Sequence, residues 1–364
     1  MSKLITSTPA ADGYAMPAEW APHARCWMIW PERPDNWRDG AVPAQTAFAR
    51  VANTIAEFEP VTMCVSVAQF HRARRLVSGA VTLVEIATND AWARDTAPTF
   101  VRNAAGEVRA VDWIFNAWGG LDGGLYRSWD DDHALAAHIA RRAAVDRYAA
   151  DFVLEGGAIH VDGEGTCLTT EECLLNRNRN PQLSREDIEQ RLRDYLGVRE
   201  ILWLGQGIYL DETDGHVDNI ACFLRPGVVA LATCDRAGDP QTAISDDARA
   251  RLGAMRDAQG RALEVIGLPV PSVPVTIAAR EAAGVLVTHG SQPRRAGDRL
   301  AASYVNFYLA NGGLVVPAFG DPNDDVARAI LAEQFPDRLV RQIPGREILL
   351  GGGNVHCITQ QQPR

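Results

Sequence analysis

Apolar residues return at helical spacing in three stretches, and short β-prone runs follow two of them. Phe48, Val51, Ile55 and Phe58 share one helical face, and Val61 to Val67 then reads as a strand. Ser184 stands where an N-cap belongs, ahead of Ile188, Leu192 and Tyr195, and Gly197 supplies a stop. The run Ile201-Leu202-Trp203-Leu204 is the strand expected next. Val326, Ile330 and Leu331 repeat the helical spacing, and Pro336 ends that helix. This alternation predicts an α/β protein. No linker or low-complexity stretch interrupts it, so one domain is expected over residues 1–364.

A second pattern concerns where polar residues meet strands. Three times an acidic or His-containing cluster runs into strand, turn and strand. Arg94-Asp95 precedes Thr99 to Val101, a turn at Asn103 to Gly106, and Val108 to Trp113. Glu155 precedes Ala158 to Val161, a turn at Asp162 to Gly165, and Thr166 to Thr169. His216-Val217-Asp218 precedes Ile220 to Leu224, a turn at Arg225 to Gly227, and Val228 to Thr233. Gly-bearing turns between β-prone runs are hairpin signals. The stretch Leu154 to His160 also echoes Leu350 to His356 as L-x-G-G-x-(I/V)-H. The echo and the hairpins together predict a repeated unit around a common centre, so that positions 95, 155, 216 and 357 converge.

Composition narrows the function classes. The chain has 364 residues, 46% hydrophobic and 23% charged, as expected of a soluble globular protein with a large core. A net charge of −10 argues against nucleic acid as a partner and suits a cationic ligand. Seven cysteines, without a CxxC pair, fit reduced thiols in the cytoplasm better than disulfides or a zinc site. Residues 1–8 lack a signal-peptide core, and no apolar run is long enough to span a membrane.

The candidate chemistry begins at Cys357, just after Gly351-Gly352-Gly353. Three glycines weaken any regular element, and one reason to keep them is close approach of a ligand to the backbone. A buried, inert cysteine in a Gly-rich turn is the bland alternative. A nucleophilic thiol needs a base or a positive charge nearby, and His216, among Asp211, Glu212, Asp214 and Asp218, is the best candidate. As a strand, this stretch would put His216 and Asp218 on one face; a solvated acidic loop or a metal site is the alternative. Glu155 reads as a site acid or as a surface residue on a bulge, and Asp95 as a site acid or as half of a surface pair with Arg94. Together these groups suit guanidinium, a planar fork of N–H donors that pairs bidentately with carboxylate. Trp92 would stack on such a ligand or be an ordinary core residue.

These residues resemble those of the agmatine deiminases, in the peptidyl-arginine deiminase-like branch of the guanidino-modifying enzymes. The resemblance runs from Pro17-Ala18-Glu19-Trp20 and Trp27 to Arg33, through Asp90 to Val101, Phe115 to Gly120, Leu154 to Thr169, Asp211 to Asn219 and Ser303 to Tyr308, to the tail 351–362. Two departures flank Asp95, where Ala93 and Ala97 replace the family's usual Met and Gly. The resemblance implies a five-bladed, pseudo-symmetric α/β propeller of ββαβ-type units, with no metal and no organic cofactor. It implies that Cys357 attacks the guanidinium carbon, that Asp95 and Asp218 hold the guanidinium nitrogens, and that His216, oriented by Glu155, moves the protons. Trp92, Glu212, Gly352 and Asn354 are the implied substrate-binding residues, with Glu212 at the amine end. The implied reaction turns agmatine into N-carbamoylputrescine and ammonia on the route to putrescine. Deimination of free or peptidyl arginine, amidino transfer, and non-catalytic binding of a cation are the alternatives. A homodimer is the default assembly.

Overall fold

Five times along the chain an antiparallel strand pair is followed by a helix and then by a third strand laid parallel to the second. The structure, a computed structural model, describes residues 2–364. In the first unit Thr99–Asn103 pairs with Val108–Ile114, helix Asp130–Ala143 crosses over, and Arg147–Val153 returns. The second unit is His160–Val161, Thr166–Thr170, helix Arg185–Leu196 and Glu200–Leu204. The third is Ala221–Arg225, Val228–Thr233, helix Pro240–Ala254 and Glu264–Pro269. The fourth is Tyr308–Ala310, Gly313–Ala318, helix Asn323–Gln334 and Leu339–Pro344. The fifth joins the two ends of the chain: Thr359–Pro363 pairs with His23–Ile29, followed by helix Val42–Ile55, Val61–Val65 and an added strand Val81–Glu85. The five sheets form an α/β propeller.

The three hairpins expected from the sequence are the strand pairs of the first three units. Gly106 and Gly227 turn two of them with left-handed φ of 84° and 76°. In the second unit the strand begins at His160 rather than Ala158, because Gly156–Ala158 forms a 3₁₀ turn. The fourth hairpin, with Gly312 at φ 82°, and the fifth, which has no local turn, were not marked by the sequence pattern.

Local chemistry sets the helix ends. The Ser184 side chain accepts from Asp187 N, and Asp187 Oδ2 accepts from Ser184 N, a reciprocal cap. Gly197, at φ 68°, closes the same helix. Two expectations shift. The strand from Val61 stops at Val65, and Val67 is exposed. On Asn323–Gln334 the inward face is Ala327 and Leu331, with Val326 turned to solvent. The small Ala327 lets this helix sit close on its sheet, so the bulkier Val326 was a misleading marker.

What positions the site is a short irregular segment just before the first strand of each unit. These segments are Ala93–Thr96, Gly156–Ala158, Val217–Ile220, residues 303–306 and residues 351–358. All lie in the buried middle of the molecule.

Candidate active site

The five segments bring together carboxylates, an imidazole, an amide and a thiol from five distant stretches of sequence. Gly157 marks their meeting point. A Cβ built there would lie 2.5 Å from His216 Nδ1 and 3.0 Å from both Asp95 Oδ1 and Asp218 Oδ2. Only glycine leaves room for those groups, and its N–H donates to Asp95 Oδ1 at 2.8 Å. The Gly351-Gly352-Gly353 turn is crowded in the same way, against Trp37, Glu212 and Trp92 respectively. Gly352 also takes a φ of 113°, which side-chain-bearing residues rarely adopt.

Asp95 lies in the helical turn Ala93–Thr96, and Trp118 Nε1 donates to its Oδ2 at 2.9 Å. Trp118 reaches it from a strained turn in which Ala117 and Trp118 both have left-handed φ, 54° and 60°; such backbone costs about 1–3 kcal/mol per residue and gathers at functional sites. Burial pushes the Asp95 carboxyl up to about 6, with Asp218 and Glu155 adding to the rise against the pull of His216. Arg94 is not its surface partner. That guanidinium is buried and pairs with Glu19 at 3.2 Å, the reverse of the expected solvated pair. Ala97 has φ −76°, so alanine in place of glycine introduces no strain there.

His216 and Asp218 do not share a strand face. Val217–Ile220 is a helical turn with His216 at its N-cap, and the two side chains meet at Gly157 from that turn rather than from a strand. His216 lies between Asp95, 3.9 Å from Nδ1, and Glu155, 3.8 Å from Nε2. Burial works against its charge, but Asp95, Cys173 and Glu155 hold the imidazole well above its usual range. Glu155 is fully buried, not on a surface bulge, and accepts from Arg179 Nε at 2.8 Å. Burial would raise its carboxyl; Arg179 and His216 keep it low. Asp218 Oδ2 lies 2.8 Å from His356 Nδ1, and its Oδ1 is buried with no partner.

Cys357 is buried, with Sγ 3.7 Å from Asp218 Oδ2 and 3.4 Å from Asn306 Oδ1. Burial, Asp218 and Asp95 drive its thiol well above the ordinary range and so oppose the thiolate. Asn306 also accepts from His356 N at 2.9 Å and Cys357 N at 3.3 Å, and donates to Asp218 O at 3.2 Å. Sequence reasoning gave Asn306 no role. Its signal was the unrecognised fourth hairpin, which it precedes as Asp95 precedes the first.

A pocket opens from Cys357 and Asp95 toward Trp92, Trp118, Tyr126, Glu212 and Gly352. The Trp92 ring packs 5.3 Å from Trp37 and 6.4 Å edge-on to Trp118, a rigid aromatic wall. Glu212 Oε1 pairs with Arg294, while its Oε2 is buried without a partner. Arg294 is tied further to Asn36 Oδ1 at 2.8 Å and Gly351 O at 2.6 Å. Arg33, also on the wall, binds Asp35 through two N–H groups at 2.6 and 3.0 Å. Asn354 stands behind the turn, its amide donating to Asn219 Oδ1 and Ala301 O. Its neighbour Asn219, which the sequence did not single out, is the one on the pocket wall.

Two groups of side chains have metal-ligand composition, Glu19/His160/His356 and Glu155/Cys173/His216. In each the carboxylate already binds a buried guanidinium, Arg94 or Arg179, whose charge disfavours a cation beside it. All seven cysteines are unpaired.

A thiol shielded from water and faced by carboxylates, at the hub of five ββαβ units, defines the α/β-propeller enzymes of guanidino chemistry. The Porphyromonas-type peptidyl-arginine deiminase model matches residues 15–363, and the chain belongs to that family. It is 59% identical to an agmatine deiminase of Ectopseudomonas mendocina (strain ymp), over 99% of this chain and 98% of that one. Its fold superposes on an agmatine deiminase structure from Enterococcus faecalis with a TM-score of 0.98 at 49% identity, covering all of both chains. A C. jejuni agmatine deiminase with a cysteine replaced by serine and substrate bound matches at a TM-score of 0.83 and 25% identity, over 96% of each chain.

Proposed function

We propose that the chain, as one catalytic domain over residues 1–364, hydrolyses agmatine to N-carbamoylputrescine and ammonia. The charge of the pocket carries this reading. Asp35, Asp90, Asp95 and Glu212 line it against only Arg33 and Arg294. Four carboxylates against two guanidinium groups leave the pocket with two negative charges in excess, which match a substrate with guanidinium at one end and ammonium at the other. Glu212 Oε2, buried on the pocket wall without a partner, suits the ammonium. Trp92 and Trp118 suit the aliphatic stem.

The chemistry follows from the groups at the hub. Asp95 and Asp218 take the guanidinium N–H groups, and the incoming cation favours the Cys357 thiolate that the two carboxylates otherwise oppose, the thiol proton leaving to solvent. The sulfur adds to the guanidinium carbon, forming a C–S bond. His216 protonates one nitrogen, and the C–N bond breaks to release ammonia. Water then adds to the amidino-cysteine, giving one proton to His216 as a C–O bond forms; the C–S bond breaks, and the remaining hydroxyl proton passes to the sulfur and restores the thiol. Glu155, fixed by Arg179, orients His216 through both half-reactions. The C. jejuni structure, with serine for cysteine and substrate bound, is consistent with a cysteine that turns substrate over.

Deimination of free arginine is the second reading, because Arg33 and Arg294 could meet an α-carboxylate. Their existing pairs with Asp35 and Glu212 disfavour it. The test is release of ammonia and ureido product from agmatine and arginine side by side, with Cys357→Ala as control. Cys357-dependent turnover of agmatine alone is expected; turnover of arginine alone, or of neither, would overturn the assignment.

A further inference from the structure

The L-x-G-G-x-(I/V)-H echo places its two histidines on one carboxylate. His160 and His356 lie with ring centroids 6.3 Å apart, and both point Nε2 at Glu19, at 3.6 and 2.8 Å. Their other nitrogens differ. His160 Nδ1 accepts from Phe223 N at 3.2 Å, which leaves the proton of that ring on Nε2. His356 Nδ1 instead faces Asp218 Oδ2 at 2.8 Å. A neutral imidazole has one donor and one acceptor, and a ring lone pair 2.8 Å from a carboxylate is repelled. With a carboxylate at hydrogen-bond distance on each side, the ring is satisfied as imidazolium, donating both ways.

We propose that His356, clamped by Glu19, is a positioning residue whose fixed positive charge keeps Asp218 ionised and turned so that Oδ1 is free for the guanidinium. The inference rests on the reading of Asp218 as a guanidinium ligand. Charges alternate along the chain of contacts: Arg94, Glu19, His356, Asp218. Every titratable group facing His356 belongs to this set, apart from His160 and Cys357. Burial and Arg94 oppose the charge on His356, but Glu19 and Asp218 outweigh them. Burial would likewise push Asp218 up, and its hydrogen bond from His356 holds it low. Without the imidazolium, Asp218 would take up a proton, and each unit of rise would cost about tenfold in its ionised fraction on the acid side.

The experiment compares the pH profile of kcat/KM for agmatine in wild type, His356→Gln and Glu19→Gln, with thermal unfolding as the check on folding. In wild type, Asp95 sets the acid limb. In His356→Gln, Asp218 becomes a second group that must lose a proton, so the limb moves to higher pH and steepens. An unmoved limb in a folded variant overturns the proposal, since a merely structural role would lower the profile without shifting it. Glu19→Gln keeps an acceptor and retains His356, and covers a His356→Gln protein that does not fold; its limb must move the same way. A readout independent of turnover is the ¹⁵N spectrum of histidine-labelled wild type at pH 7.5. A His356 ring protonated at both nitrogens is expected even if agmatine proves not to be the substrate, and a neutral ring overturns the proposal.

Discussion

Gly157 lies so close to His216 that a β-carbon there would sit 2.5 Å from its Nδ1. The site was built around the absence of a side chain, and that absence lets two carboxylates and an imidazole crowd one backbone N–H. Gly157→Ala must therefore displace His216 or Asp95. We expect loss of at least about two orders of magnitude in kcat, in the range that removal of general acid–base catalysis produces. Folding should persist. A variant with near wild-type kcat would show that His216 acts from elsewhere.

Asp95 trades stability for function. Its carboxyl titrates at about 6 in the folded chain against 3.8 for an ordinary aspartate. The folded value is the higher one, so the contribution to stability is full below about pH 4 and is lost as pH rises through 6. Asp95→Asn should abolish turnover yet raise stability at pH 8, by at most about 3 kcal/mol at 1.36 kcal/mol per unit. Denaturant unfolding at pH 8 and pH 4 measures this; a variant less stable at both values would contradict it. In wild type, kcat/KM should fall as pH drops through about 6, where Asp95 gains a proton.

Asn306 caps the turn that carries the thiol. Asn306→Ala leaves the Cys357 N–H without its acceptor in a dry interior, while the His356 N–H keeps the backbone oxygen of residue 306 at 3.2 Å. Each unsatisfied buried donor costs about 1–3 kcal/mol. We expect a lower unfolding midpoint together with reduced kcat. Asn306→Asp should be worse for activity, because a third carboxylate beside Cys357 opposes the thiolate. Alkylation of Cys357 across pH reads this directly, as a rate that rises only at higher pH in the aspartate variant.

Glu212 should govern the far end of the substrate. Glu212→Gln removes the charge facing the ammonium and leaves Arg294, still held by Asn36 and Gly351, without its counter-charge. A charge-assisted hydrogen bond is worth about 1.5–3 kcal/mol, so kcat/KM for agmatine should fall roughly ten- to hundredfold, mainly through KM. Relative activity toward arginine should increase, since Arg294, no longer neutralised, can meet a carboxylate. Steady-state kinetics on both substrates check it; an unchanged agmatine KM would remove Glu212 from the binding site.

Much of the scaffold was legible because its signals are local. Ser184 and Gly197 bound their helix through bonds to residues three or four positions away. The hairpins at Gly106 and Gly227 announced themselves by residues that tolerate a left-handed backbone. The fifth hairpin could not be read, since its strands, 359–363 and 23–29, come from opposite ends of the chain. Val326 misled for a related reason: hydrophobicity says which residues prefer burial, and packing distance selected Ala327 instead.

By itself the sequence determined the chemical inventory: a thiol beside three glycines, an imidazole among acids, and a weak repeat that ends in histidine. Those are properties of residue type and short spacing, which folding does not alter. Tertiary structure decided what each group faces, and therefore its charge. His160 and His356 end the same motif, yet one accepts from a backbone N–H and the other lies between two carboxylates. Arg94 and Asp95 are neighbours in the chain, yet one pairs with Glu19 and the other meets His216. Electrostatic energy depends on distance and burial, and contacts between residues far apart in the chain set both.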